Sequence, residues 1–188
     1  LSFLLQQKIT DNKGLYRYSI MTCVLSGLVA ARMNMSPDGI IKCMTGALLS
    51  DIGLCEMPTL IGKEDFDGQQ LALYMEHPTY GYHFAVQNNI DREAAECIQC
   101  HHEKWNGKGY PEGLKGEEIP LCARIMAIAD VFDAISEKRC YRDALPLDEC
   151  FKIIEEGRGT SFDPILVDVF LELRPQVEEI YKDIKHAE

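Results

Sequence analysis

An all-α bundle is the fold class this sequence predicts, and three observations carry that prediction. Apolar residues recur at three- and four-residue spacing through most of the chain, as around Met21-Thr22-Cys23-Val24-Leu25, which is the periodicity of a helix with one buried face. No stretch alternates convincingly with the period of two that a half-buried strand requires. Helix-start and helix-stop residues then divide the apolar runs into segments of ordinary helix length.

Taken in order, the first helices run from about Leu1 to Lys8 and from about Gly14 to Met33. Ser36-Pro37-Asp38 restarts the chain as an N-cap with Pro at the first helical position, and the next helix runs to about Ser50. Asp51-Ile52-Gly53 ends it, and a loop carrying Pro58 and Gly62 leads to Lys63. A charge-rich start at Glu64-Asp65 opens a helix over about Gln69 to Glu76, and Pro78 opens another to about Gln87. Asn88-Asn89 breaks that helix, and Asp91 caps the run that delivers His101 and His102. After a glycine-rich loop, Pro120 starts a long helix, Leu121 to Ser136, whose alanines allow close approach of neighbouring backbones and can bring Asp130 to a central site. Lys138-Arg139-Cys140-Tyr141-Arg142 follows as a basic loop, and helices near Leu147 to Glu156, Pro164 to Leu173 and Pro175 to Lys185 complete the bundle.

Composition bounds what such a bundle does. The 188 residues, 46% of them apolar, fill one core and are read as one domain over 1–188. With 30 acidic against 19 basic residues the net charge is -11, which disfavours duplex nucleic acid and anionic membranes while leaving room for divalent cations and for a small anion in one local basic pocket. No apolar run approaches the roughly 20 residues of a membrane span. The chain opens on Leu1 rather than Met, so it is expected to be a segment cut from a longer protein. Its eight cysteines lie mostly inside apolar helical runs, the pattern of buried free thiols.

His101 and His102 stand at the mouth of Lys104-Trp105-Asn106-Gly107-Lys108-Gly109-Tyr110-Pro111. Adjacent imidazoles held at a rigid loop suit a metal or a substrate, and beside carboxylates they make a hard-to-intermediate site. Paired surface histidines ending a helix are the alternative for any isolated His-His. Asp51, His77 and Asp130 are further candidate ligands, far apart in sequence, which spacing alone does not bring together. Cys97-Ile98-Gln99-Cys100-His101 matches the C-x-x-C-H pattern of haem attachment, or two thiols of a zinc site, though no second cysteine pair sits at suitable spacing.

The stretch from His101-His102-Glu103 through Gly109-Tyr110-Pro111-Glu112-Gly113 and Ile119-Pro120-Leu121, continuing through Ala129-Asp130-Val131-Phe132-Asp133-Ala134 to Tyr141-Arg142, resembles the HD-GYP family. The resemblance covers about Gly14 to Phe170. It implies an HD-type helical bundle, a cytoplasmic location, and descent from metal-dependent phosphodiesterases that hydrolyse cyclic di-GMP, with iron or manganese as the metal. Diguanylate-cyclase-type signalling domains are the partner class it implies.

Carried over residue by residue, the resemblance gives one metal to Asp51, His77, His101 and His102. The second would draw on an early-helix histidine, the histidine of the HD pair, Asp51 and Asp130, but here those two histidine positions hold Tyr18 and Ser50. A glutamate expected one turn before Tyr18 is Gly14, and the lysine expected after Asp51-Ile52-Gly53 is Leu54. A phenol with a pKa of about 10 and a serine hydroxyl are poor replacements for neutral imidazole. One ion or fewer per chain is therefore expected. Arg139 and Arg142 match positions that contact the dinucleotide's phosphates, in keeping with a local cationic loop in an acidic chain. Tyr110 is expected either to stack or hydrogen-bond near the site, or to stiffen the loop on Pro111. The resulting expectation is a regulatory, ligand-sensing or partner-binding module with little or no turnover; the alternative is a phosphodiesterase working from a reduced metal site, with Asp51 and Asp130 as its catalytic carboxylates.

Overall fold

The computed structural model describes residues 13–61, 63, 65–136 and 144–187, without the side chains of 13–18 and 184–187. The helix expected over Leu1 to Lys8 and the basic loop carrying Arg139 and Arg142 lie outside the described residues. Nine α-helices make up the described chain: α1 (Lys13–Arg32), α2 (Pro37–Leu49), α3 (Gly68–Tyr74), α4 (His77–Gln87), α5 (Arg92–Cys100), α6 (Leu121–Ser136), α7 (Leu147–Glu156), α8 (Pro164–Glu172) and α9 (Arg174–Ala187). Among the described residues the only β features are two isolated bridges, Asn106 with Lys115 and Arg158 with Phe162. The fold is all-α.

Local chemistry sets the helix starts. The Ser36 hydroxyl accepts from Gly39 N at 3.1 Å to begin α2, and Asp91 and Asp163 cap α5 and α8 by accepting from Glu93 N and Ile165 N. Asp67, rather than the expected Glu64-Asp65, caps α3 through a reciprocal box with Gln70. The expected loop after Asp51 is in fact two 3-10 segments, Ser50–Glu56 and Pro58–Leu60. Tight turning there keeps Ile52 and Leu54 facing the core, which the spacing of a structureless loop would not show.

The principal core gathers around Phe132 of α6, whose ring lies 4.8 Å from Phe151 of α7, 5.0 Å from Phe170 of α8 and 5.7 Å from Tyr181 of α9. Each fully buried aromatic contributes about 1.5–3 kcal/mol by leaving water, so this cluster ties the last four helices to one point. A second cluster, Leu49, Ile52, Ala85, Ala95 and Ile98, joins α2, the 3-10 segment, α4 and α5. The candidate site sits where these elements meet.

Seven of the cysteines fall among the described residues, all as free thiols, and Cys43, Cys97, Cys100, Cys122 and Cys150 are buried. Cys97 Sγ lies 3.7 Å from Met126 Sδ inside the core, where burial pushes its thiol well above its usual range. Cys97 is a fully buried packing residue, which disfavours the haem-attachment and zinc-thiolate readings of the motif.

Candidate metal centre and its loop

Three elements converge on the histidines. His77 is the first residue of α4, His101 is the C-cap of α5, and His102 follows it into the loop. Asp51 lies on the first turn of the 3-10 segment. The ligand-capable atoms of His77, His101 and His102 all lie within 4.8 Å of one another, and His77 Nε2 is 3.5 Å from Asp51 Oδ1. Gly53 makes that approach possible: a Cβ there would stand 2.0 Å from the carbonyl oxygen of His77. Only glycine lets the 3-10 segment lie so close against the start of α4.

The ring hydrogens decide what the cluster offers. His77 Nδ1 is 2.7 Å from the carbonyl of Tyr74 and His101 Nδ1 is 2.7 Å from the carbonyl of Ile98. A carbonyl only accepts, so both Nδ1 atoms carry hydrogen, and in the neutral rings that leaves the Nε2 lone pairs for a ligand. Those two Nε2 atoms face each other at 3.3 Å. Beside them His102 Nε2 is buried without a hydrogen-bond partner, and burial first, then His101, His77 and Lys104, holds that imidazole neutral by driving its pKa well below the ordinary value. Converging lone pairs backed by carbonyl-held Nδ1–H groups and an adjacent carboxylate are the donor set of a divalent cation. Burial also pushes the nearby Cys100 thiol up to about 12, so the set is nitrogen and oxygen without thiolate. A metal ion fits these residues.

Asp130 is buried on α6 and lines a cavity of about 240 Å3 together with His101 and His102. The structure thus puts Asp51 beside His77 and Asp130 beside the histidine pair. Ser50 is only 1% exposed, adjoining Asp51, and Leu54 is 4% exposed within the core. Tyr18 and Gly14 fall on α1 among the residues whose side chains lie outside the description.

The Tyr110 ring lies against His102, with centroids 4.8 Å apart at 31°, and its backbone N–H donates to the His102 carbonyl at 3.2 Å. Burial raises its hydroxyl pKa, with Tyr74, Asp130 and Asp51 adding to the rise, so the phenol stays neutral and able to donate. Gly109 permits the fold-back, since a Cβ there would meet Lys104 N at 2.3 Å. Asn106 closes the turn by accepting from Lys108 N at 3.0 Å.

Two features escaped the sequence reading. Glu103, named there only as part of the motif, is buried, and its Oε1 accepts from Glu112 N at 2.7 Å and Gly113 N at 2.9 Å, so this carboxylate holds the loop shut. Its place directly after the histidine pair, before a loop full of unpartnered amides, was the available signal. The turn between α7 and α8 also reaches the loop: Trp105 N–H donates to Ser161 O at 3.2 Å and Asn106 N–H to Thr160 O at 2.9 Å. Nothing in local sequence marks that contact.

A family model described as HD domain matches residues 5–166. The chain belongs to the HD domain family. Relatives of this HD domain are phosphodiesterases of the HD-GYP type acting on cyclic di-GMP or 3'3'-cGAMP. It is 35% identical over 162 residues to a cyclic di-GMP phosphodiesterase of Thermotoga maritima, covering 84% of this chain and 44% of that protein. It is 36% identical over 160 residues to the cyclic di-GMP phosphodiesterase response regulator RpfG of Xanthomonas campestris, covering 83% and 42%. The chain therefore spans less than half the length of these relatives. Among solved structures, an HDG"Y"P protein of Bdellovibrio bacteriovorus superposes with a TM-score of 0.71 at 20% identity, over 88% of this chain and 54% of that one. The L. monocytogenes phosphodiesterase PgpH HD domain in complex with cyclic-di-AMP gives 0.68 at 14% identity, over 97% of both chains. At such identities the structural likeness speaks for the fold alone. Phosphodiesterases of the HD domain family are metal-dependent, and no described helix is long and apolar enough to cross a membrane.

Proposed function

We propose that this HD domain is a regulatory module that binds a cyclic dinucleotide, cyclic di-GMP first among them, and has lost most or all turnover. The observation that carries this reading is Ser50. It is buried directly beside Asp51, where the HD-GYP resemblance puts an imidazole, and its short hydroxyl is a weak ligand. With Tyr18 at the other histidine position, one side of a two-ion centre has no imidazole. Such a centre works by clamping attacking and leaving oxygens between ions about 3.5–4 Å apart. Leu54, facing the core, supplies no cation for a phosphate.

In this reading Asp51, His77, His101 and His102 hold one iron or manganese ion, or none, and Asp130 stands at the edge of that position. When bound, the ion supplies positive charge and Lewis acidity next to a phosphoryl oxygen. Arg139 and Arg142, by the resemblance, supply bidentate donors for phosphate, and Tyr110, a neutral phenol packed against the His102 ring, is able to donate beside it. The second reading, a phosphodiesterase working from one ion, is favoured by the completeness of the set formed by Asp51 and the three histidines.

Hydrolysis of cyclic di-GMP with manganese or iron, run beside a Tyr18→His/Ser50→His pair and a His102→Ala control, separates the two. Binding without product in the unmodified protein, and product in the reversion pair, is the expected result. Turnover by the unmodified protein above the His102→Ala control would establish the phosphodiesterase.

A further inference from the structure

The first two helices leave one side uncovered. Residues 33–36 turn the chain between α1 and α2, so the pair runs antiparallel, and the two helices touch closely at Gly27, where a Cβ would meet Met44 Sδ at 2.8 Å. That register brings Val24 level with Leu48 and Ala31 level with Ile41. On α1, Ile20, Val24, Gly27 and Ala31 recur at spacings of four, three and four, and on α2, Ile41, Thr45 and Leu48 recur at four and three. Such spacings put each set on one side of its helix. Leu25, Val29, Cys43 and Ala47 take the opposite sides, fully buried in one cluster with Ile125 and Met126 of α6, so the strip faces outward. It is apolar all the same: Ile41 is 63% exposed, and Val24 and Leu48 are exposed as well.

We propose that this strip is the contact face of a homodimer, in which the α1–α2 pair of one chain packs on that of a second copy. The proposal stands apart from what the metal centre binds. Charge favours a second copy as the occupant. The chain carries a net charge of -11, so two copies meeting at an arbitrary place set carboxylates against carboxylates. The strip avoids this, because no Asp, Glu, Lys or Arg occurs from 18 to 31 or from 43 to 50. The charges between those stretches are paired within the chain: Arg32 with Glu172, and Lys42 with Asp38, Asp91 and Glu93 at 2.9, 3.5 and 3.4 Å. A charged peptide or an anionic lipid surface would find no counter-charge on such a strip, whereas an identical strip needs none.

Its extent also suffices. The 20 residues of α1 and 13 of α2 make helices about 30 and 20 Å long, side by side at about 8–10 Å. They present on the order of 500 Å2 per chain, and two such faces bury about 1,000 Å2, the lower bound for a specific contact. Helices of the two copies running antiparallel form a four-helix bundle around a two-fold axis, each chain offering the same patch. That arrangement sets the Arg32–Lys42 end of one pair against the uncharged far end of the other.

The test is sedimentation equilibrium of the protein from about 1 to 100 µM, the range in which a contact of this size assembles, beside three single variants. The parent should reach twice its 21.3 kDa. Ile41→Glu and Leu48→Glu each place a carboxylate in the strip from an exposed position. Because a two-fold contact carries each substitution twice, either should weaken the dimer about a hundredfold or more. Ile165→Glu, on α8 and equally 63% exposed, should leave it unchanged. Melting temperatures at the lowest concentration should match the parent's, which separates lost association from lost folding. Added salt should leave the dimer as strong or stronger, since no ion pair crosses the contact. A parent that stays at 21.3 kDa up to about 100 µM overturns the proposal, whether another protein or a bilayer then takes the strip. A dimer that both strip variants keep, that Ile165→Glu breaks or that salt dissolves overturns it too.

Discussion

Replacing Gly53 with alanine tests how Asp51 is brought to His77. The new Cβ would stand 2.0 Å from the His77 carbonyl oxygen, and Gly81 N and the His77 carbonyl carbon, at 2.7 and 2.9 Å, leave it no side to move to. All three neighbours are backbone, so relief requires the 3-10 segment and α4 to separate by about 1.5 Å to reach the ~3.5 Å of a relaxed contact. Overpacking of that kind costs about 1–3 kcal/mol, and at about 2–4 °C per kcal/mol for a domain of this size the metal-free protein should melt about 2–12 °C lower. The effect on the site should be of similar size to the effect on the fold, about 1.4 kcal/mol for each tenfold in affinity. Asp51 Oδ1 is 3.5 Å from His77 Nε2, and metal–ligand distances tolerate only about ±0.2 Å, so manganese affinity should fall about tenfold to a hundredfold. Melting in chelator and manganese titration, run on the same preparation, give both numbers. A Gly53→Ala protein that melts and binds manganese like the parent would refute the argument that backbone contact sets the Asp51–His77 distance.

Glu103→Ala removes the acceptor for Glu112 N and Gly113 N and should lower urea stability by about 2–4 kcal/mol, whereas Glu103→Gln, which keeps an acceptor, should cost about half as much; a loss below about 0.5 kcal/mol in the alanine variant would show that the loop holds itself. Manganese or iron at about 100-fold over its Kd should stabilise the protein by about 2.7 kcal/mol, raising the melting temperature by about 5–11 °C, and His77→Ala should abolish that rise; equal melting with ion and with chelator would argue against a metal centre. Tyr181→Phe removes the hydroxyl that donates to buried Asp133 Oδ1 at 2.7 Å and should cost about 1.5–3 kcal/mol in urea, an unchanged midpoint showing that this hydrogen bond does not hold α9 in place.

Helix identity was legible because its causes are local. Ser36-Pro37 begins α2, Asp91 caps α5, and the apolar spacing from Leu121 marks α6, each within a few residues of its own signal. Where the local signal was shared, the boundary moved: three acids precede α3, and Asp67 serves as cap because Gln70 lies three residues beyond it. The 3-10 turns after Leu49 were not legible, since their tightness answers to α4 packed against them rather than to their own residues. Family membership could be read from the run His101 to Leu121 because a long contiguous motif survives without knowledge of contacts.

What the sequence determined by itself, then, is a helical chain of the HD domain family with two expected imidazoles absent at positions 18 and 50. Only the tertiary structure decided that His77, His101 and His102 point their lone pairs into one space beside Asp51, that Glu103 ties down the loop, and that Ser161 comes to stand near Lys104. The physical reason is range. Periodicity, caps and turns act within about four residues, as do the Tyr74 and Ile98 carbonyls that orient the rings of His77 and His101, whereas the meeting of those two rings depends on how α4 and α5 pack, and the need for glycine at position 53 exists only because the His77 carbonyl arrives there from another helix.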